Sequence, residues 1–186
     1  MTKEQKKYFD EEAVWLCARC EDVGDRNGRK LRNMVETRGE VVHKIEAVHL
    51  GTHSQQKRAK KCDSKGFEGL RDTVHLVRGC KVMLTRNVNY AKGLANGTRG
   101  KFVGIVYGPG GLGTFPEAIV VDFPDYDGER HGKFYDDEPT WVPILSMTSV
   151  KEGTRLTRTQ FPLAAAFALT VNKAPVSYTH LRAHET

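Results

Sequence analysis

No run of eighteen apolar residues occurs in the 186-residue chain, so the sequence offers no membrane-spanning helix. The opening stretch, MTKEQKKYFDEEAVW, has no apolar core and reads as no secretory signal. Cysteine is scarce. Cys17, Cys20, Cys62 and Cys80 are too few and too irregular for a disulfide framework, and a reducing, intracellular setting is expected. Catalytic signatures are missing as well. A phosphate loop needs Gly-x-x-x-x-Gly-Lys-[Ser/Thr] to wrap phosphates in backbone N–H groups. The nearest approach is ANGTRGKF, where Ala95 replaces the opening glycine and Phe102 replaces the hydroxyl that would hold magnesium. There is no Gly-x-Ser-x-Gly and no His-Glu-x-x-His. Hydrolytic catalysis by this chain alone is not expected.

What the chain does have is positive charge, a formal +6, spread unevenly. RNGRKLRN (26–33) and QQKRAKKCDSK (55–65) are basic, and DFPDYDGERHGKFYDDE (122–138) is acidic. Such a balance points to a polyanion, usually nucleic acid, although each basic run alone also suits a solvated face.

Residues 13–18 form an apolar run of strand length. Val23, Asn27, Leu31, Met34 and Val35 recur at helical spacing and predict an amphipathic helix over 20–37, ended near Gly39. EVVHKIEAVH (40–49) reads as a strand, and the polar stretch 51–69 as an exposed loop, partly helical. From about residue 73 short β-rich runs alternate with Gly-rich turns, which predicts a small antiparallel barrel or sandwich. FPLAAAFAL (161–169) is expected to return to helix with Pro162 in its first turn. The fold class expected is α/β, with a small β-barrel inserted into a larger lobe. Cys17-x-x-Cys20 and His49-x-x-x-His53 have the spacing of zinc-ligand pairs. The 28 intervening residues hold a predicted helix and strand, so the cysteines are assigned to the core and to the first helical turn, and no metal is expected.

The segment GCKVMLTRNVNYAKGLANGTRGKFVGIV (79–106) carries Gly79, Val82, Met83, Leu84, Asn87, Gly93, Leu94, Asn96, Gly97 and Gly100 in a characteristic order. It resembles the PIF-type (petite integration frequency) DNA helicases, RecD-related members of superfamily one. PEAIVVDFPDYDG (116–128) with VPI (142–144), and RTQFPLAAAFALTVNKA (158–174), are similar to further stretches of that family, the last to its helicase motif V. WLCARCEDVGDRNGRKL (15–31) resembles the family's strand and helix ending in Asn-x-x-x-Leu, here Asn27 and Leu31. The resemblance implies a partial second RecA-like lobe over 1–78 and 155–174, and an inserted small antiparallel barrel, Src-homology-three-like, over 79–154. It implies a C-terminal piece of an ATP-dependent 5′–3′ DNA helicase. ATP and Mg2+ would be cofactors of the parent and none would be bound by the fragment. Partners would be single-stranded DNA and the missing N-terminal lobe, with no membrane. Compartment would be nucleus or mitochondrion in a eukaryote, otherwise cytoplasm.

Through the resemblance Thr170, Asn172 and Lys173 are expected to meet DNA phosphate. Arg86, Arg99 and Lys101 flank the hairpin and are expected to hold a strand through phosphate contacts. Gly93, Asn96, Gly97 and Gly100 read as turn formers, with Asn96-Gly97 a tight-turn signal. Tyr90, Phe102, Phe115, Tyr126 and Trp141 read chiefly as packing aromatics, with base stacking as the alternative. After Lys173 the family continues Ser-Gln-Gly, whereas this chain has Ala174-Pro175 and VSYTHLRAHET. That tail back-translates to a transposase adapter of sequencing libraries, so 175–186 is expected to be adapter-derived. The competing reading is a stand-alone β-barrel module that binds nucleic acid without a motor.

Overall fold

The 3.6-residue period in VGDRNGRKLRNMV decides the first long element. In the computed structural model, which describes residue 2 and residues 13–171, strand β1 (Trp15–Cys17) leads into helix α1 (Cys20–Arg38). Glu21 and Asp22 in the first turn and Arg38 in the last complement the helix dipole. Gly39, at φ 67°, ends the helix by donating its N–H to the Val35 carbonyl. Val23, Asn27, Leu31 and Met34 form the buried stripe, as their spacing predicts.

β2 (His43–Glu46) follows, then α2 (His53–Lys61) and a 3-10 turn (Lys65–Phe67). Residues 51–69 are thus partly helical, as expected, with the helix covering half of the stretch. Thr52 and Gln55 form a reciprocal capping box, a start signal present in the sequence but overlooked among polar residues. α2 buries only Ala59, which joins Phe67, Leu70 and Leu156 in a small second core. Arg158 is fully buried beneath it. Its guanidinium donates to the carbonyls of Leu70 (2.9 Å), Ala59 (2.6 Å) and Cys62 (3.0 Å) and lies 4.2 Å from the Phe67 ring centroid. Burial pushes the guanidinium's pKa below its ordinary value, and the Asp72 carboxylate 3.9 Å away opposes the shift. Carbonyl dipoles thus do most of the solvating of this buried charge.

The β-rich half comprises β3 (Thr73–Leu76), β4 (Lys81–Leu84), a 3-10 turn (Tyr90–Lys92), β5 (Arg99–Val106), β6 (Ala118–Asp122), the short α3 (Gly128–His131), β7 (Trp141–Leu145), β8 (Met147–Val150), β9 (Thr157–Gln160), β10 (Leu163–Ala165) and β11 (Ala168–Thr170). β2 pairs with β3 and β8 with β9, both antiparallel. Five strands make one antiparallel sheet in the order β10-β4-β5-β6-β7. Its inner face, with Leu31 and Met34 of α1, builds the main core around Val82, Phe102, Ile119 and Phe161.

Two expectations are corrected here. The sheet is open: β10 and β7 are its edges, and among the described residues no pairing closes it into a barrel. FPLAAAFAL is not helical. Alanine's helix propensity is worth a few tenths of a kcal/mol per residue and yields to pairing on both flanks. Leu163–Ala165 pairs antiparallel with β4, and Ala168–Thr170 runs parallel to β1. Phe161, Leu163, Ala164, Ala166, Ala168 and Leu169 are all buried, so the apolar run is that of strands covered on both faces. Among the described residues no helix is long and apolar enough to cross a membrane.

Cys80 lies in the main core with no exposed surface, and burial raises its thiol from the ordinary 9.0 to about 11. Above pH 9 the unfolded chain releases this proton and the native chain keeps it. The stability contributed is therefore complete below pH 9 and is lost between pH 9 and 11, at up to about 1.4 kcal/mol per pH unit. Urea unfolding at pH 8 and pH 10.5 is expected to show a larger loss for the wild-type chain than for Cys80→Ala. Equal losses would contradict the assignment.

Candidate nucleic-acid interface

Thr170 is the last residue of β11 and stands opposite Cys17 in the parallel pair with β1. It is half-buried, at the point where the chain leaves the sheet. Its position is fixed from below by Asn27 of α1. That side-chain amide donates to the carbonyls of Ala165 (3.0 Å) and Ala168 (3.1 Å), and its oxygen accepts from the Ala168 N–H at 2.8 Å. The two residues expected to act with Thr170, Asn172 and Lys173, lie outside the described residues, as does the tail from 175 onward.

The remaining basic residues do not converge on Thr170. Arg86 follows β4 and makes a 2.6 Å ion pair with Glu68, whose carboxylate also accepts from the Ser149 hydroxyl. Arg99 and Lys101 are exposed, two apart on β5, and so share one face of the sheet. Lys101 stands between Lys81 of β4 and Asp122 of β6 in register.

The loop between β4 and β5 is longer than a tight hairpin. Asn96-Gly97 is its return limb: the Asn96 N–H donates to the Asn87 side chain (2.8 Å) and the Gly97 N–H to the Leu84 carbonyl (2.9 Å). Leu94 is buried and exchanges backbone hydrogen bonds with Asn89. Gly93 caps the 3-10 turn at φ 75°. Gly97 needs its glycine for a φ of 97°, but Gly100 needs it for space. A Cβ on Gly100 would lie 2.4 Å from the Asp122 carbonyl oxygen and 2.7 Å from Val121 Cγ1. Asn87, Gly93, Asn96, Gly97 and Gly100 thus shape the loop and the sheet. Of the aromatics considered, Phe102 and Tyr126 are buried, Phe115 stacks on Phe161 with centroids 5.3 Å apart, and Trp141 meets Tyr135 edge-on. Tyr90 stands 79% exposed.

Lys101 does line a groove of about 1070 Å³ between α1, the start of β1 and the β4–β5 edge. Arg26, Arg29, Lys30 and Arg38 of α1 contribute to it, with Lys81 and Lys101 from the sheet. Trp15 and Phe167 supply aromatic surface. Trp15 is 45% exposed, and the Arg26 guanidinium lies 4.3 Å from its ring centroid. Sequence reasoning missed Trp15, because WLCA reads as buried strand. The available signal was the spacing of Arg26, Arg29 and Lys30, which puts these cations on one side of a helix already recognised. Of the Cys17–His49 set, His49 is engaged within the fold. His49 holds the Thr157 carbonyl (2.9 Å) and the Asp72 carboxylate (2.8 Å) with its two ring nitrogens. Among the described residues no group of three or more His, Cys, Asp or Glu side chains is placed to hold a metal ion.

Comparison with known proteins fits this architecture. Residues 70–105 match the family described as DNA helicase Pif1, 2B domain. Among solved structures, Pif1 helicase from Candida albicans superposes with a TM-score of 0.59 at 21% identity, covering 89% of this chain and 37% of that one. Unliganded Pif1 from Bacteroides sp gives 0.56 at 19% identity, covering 89% and 43%. Bacteroides Pif1 in complex with ADP-AlF3 and ssDNA gives 0.53 at 20% identity, covering 89% and 32%. No curated protein matches. The chain spans 32–43% of the length of these structures. Residues 70–105 are thus similar in sequence to the Pif1 2B domain, and nearly the whole chain is similar in fold to part of the Pif1 helicase structures.

The two loop glycines separate strain from collision. Gly97→Ala is expected to cost about 1–2 kcal/mol, the penalty of a left-handed backbone with open space around it. Gly100→Ala is expected to cost about 3 kcal/mol, because the atom it meets is backbone of β6. Denaturant midpoints of the two variants give the order, and a reversed order would contradict it.

Proposed function

We propose that this chain is the C-terminal part of an ATP-dependent 5′–3′ DNA helicase, contributing single-stranded DNA contacts and part of the motor between two lobes. The observation that carries this reading is the match of 70–105 to the Pif1 2B domain, inside a chain of which about nine-tenths follows the Pif1 fold. In this reading 1–78 and 155–174 belong to the second RecA-like lobe, and 79–154 is a unit inserted into it. β1, α1 and β11 supply the lobe's parallel α/β element. The missing N-terminal lobe is the partner that completes the motor.

The segment nearest in sequence to a phosphate loop is not placed as one. Gly100-Lys101 sits inside β5, paired on both sides, rather than in a loop opening onto a helix N-terminus. In this reading ATP and Mg2+ would be held between the two lobes of the parent, with the phosphate loop on the missing lobe, and would supply the free energy for lobe closure. What this chain supplies is the strand end. Thr170 presents a short hydroxyl where β11 leaves the sheet, suited to a phosphate oxygen, and Lys173 brings a point charge three residues on. Asn172 hydrogen-bonds but does not titrate, so this contact is expected to be insensitive to pH near neutrality.

The purified chain is expected to bind a fluorescent dT oligonucleotide weakly, with log affinity falling linearly with log salt concentration, and to turn over no ATP. Salt-independent binding, or ATP turnover by the chain alone, would overturn the reading. The uninterrupted gene is expected to encode a phosphate loop upstream and Ser-Gln-Gly after Lys173.

A further inference from the structure

The groove beside Trp15 is built by a segregation of charge along α1. The helix holds four acids, Glu21, Asp22, Asp25 and Glu36, and five bases. Four of the five bases line the groove and none of the acids does. The facing wall adds Lys81 and Lys101 from paired positions on β4 and β5, so among the described residues six cations and no carboxylate line one cleft. A cleft lined by one sign of charge concentrates counter-ions of the other. At its mouth Trp15 is nearly half exposed although indole is the largest side chain to bury, and Arg26 covers its ring. A guanidinium on an indole, beside further arginines, is the pairing that single-stranded nucleic acid uses: charge tracks the backbone while the ring takes an unpaired base.

The groove is not the strand end of the proposed helicase site. Trp15 begins β1 and Cys17 ends it, and Thr170 pairs with Cys17. Thr170 is not among the groove-lining residues. We propose that this groove is a separate binding site for single-stranded nucleic acid, with phosphates on Arg26, Arg29 and Arg38 and a base stacked at Trp15. A duplex offers no unpaired base to Trp15 and is expected to bind more weakly. The assignment goes beyond the helicase reading and does not depend on it.

The test uses the whole chain carrying Trp141→Phe, which leaves Trp15 as its only tryptophan. Titration with a dT oligonucleotide is expected to quench Trp15 fluorescence, while heparin, which has charge but no bases, is expected to bind without comparable quenching. Arg26→Gln with Arg29→Gln is expected to weaken oligonucleotide binding at least tenfold and to reduce the salt slope by about 1.4, the value for two lost phosphate contacts on a single strand. Trp15→Ala is expected to weaken binding about tenfold with the salt slope unchanged. Arg58→Gln with Lys61→Gln, exposed cations on α2, serves as the control and is expected to change affinity less than threefold. Circular dichroism checks that each variant is folded. Unchanged affinity in the Arg26/Arg29 variant, or an equal loss in the α2 control, would overturn the proposal. If the wild-type chain binds the oligonucleotide but the groove variants bind as well as it does, the groove assignment fails and the strand-end reading stands.

Discussion

One side chain ties the two halves of the β structure to the helix that covers them. Asn27 offers both ends of its amide to a single turn of backbone between β10 and β11, satisfying two carbonyls and one N–H that no strand partner reaches. Buried backbone groups left without partners cost about 1–3 kcal/mol each, so an apolar residue at this position would strand three of them. The amide also fixes the rotation of α1. With Asn27 pointing down, Leu31 and Met34 must enter the main core, and the next face of the helix, with Arg26 and Arg29, must look onto the groove. The same contact therefore sets the hydrophobic stripe and the position of the charge.

A second polar anchor works by the same principle at the opposite end. Arg158 is the largest side chain with no exposed surface, and it ties β9 to α2 and to Leu70 through the carbonyls of Ala59, Cys62 and Leu70, with its guanidinium over the Phe67 ring. The core around it is only Ala59, Phe67, Leu70 and Leu156, too small to hold a nine-residue helix on apolar burial alone. Directional bonds from a charged fork to backbone carbonyls make up the difference. The acidic segment 122–138 is also occupied locally. Asp122 accepts from the Thr140 hydroxyl at 2.6 Å, and Asp127 caps α3. These carboxylates organise their own turn.

Much of this was legible in the sequence, and the parts that were not share a cause. α1 was readable because its buried stripe repeats every three or four residues and Gly39 marks its end, both local properties. The β4 to β7 runs were readable from β-branched residues between turns. The loop 85–98 was legible as a turn, but not as a long loop with a buried Leu94 at its heart. FPLAAAFAL misled because alanine says little about which neighbours will claim its backbone, and here β4 and β1 claim it from two sides. Closure of the sheet is a long-range property that strand count alone does not set. Trp15 was misjudged for a related reason. An apolar strand is exposed or buried according to what lies beside it, and among the described residues β1 has one strand neighbour, β11.

Only Ala166 and Phe167 separate β10, antiparallel to β4, from β11, parallel to β1, and Ala166 is fully buried with its N–H on the Lys81 carbonyl. Two residues so held leave no slack. The parallel pair and the five-stranded sheet are geared together, and a push on the β4–β5 hairpin is delivered to the tip of β11 without a hinge in between. Any articulation must then fall outside this joint, which travels as one rigid block.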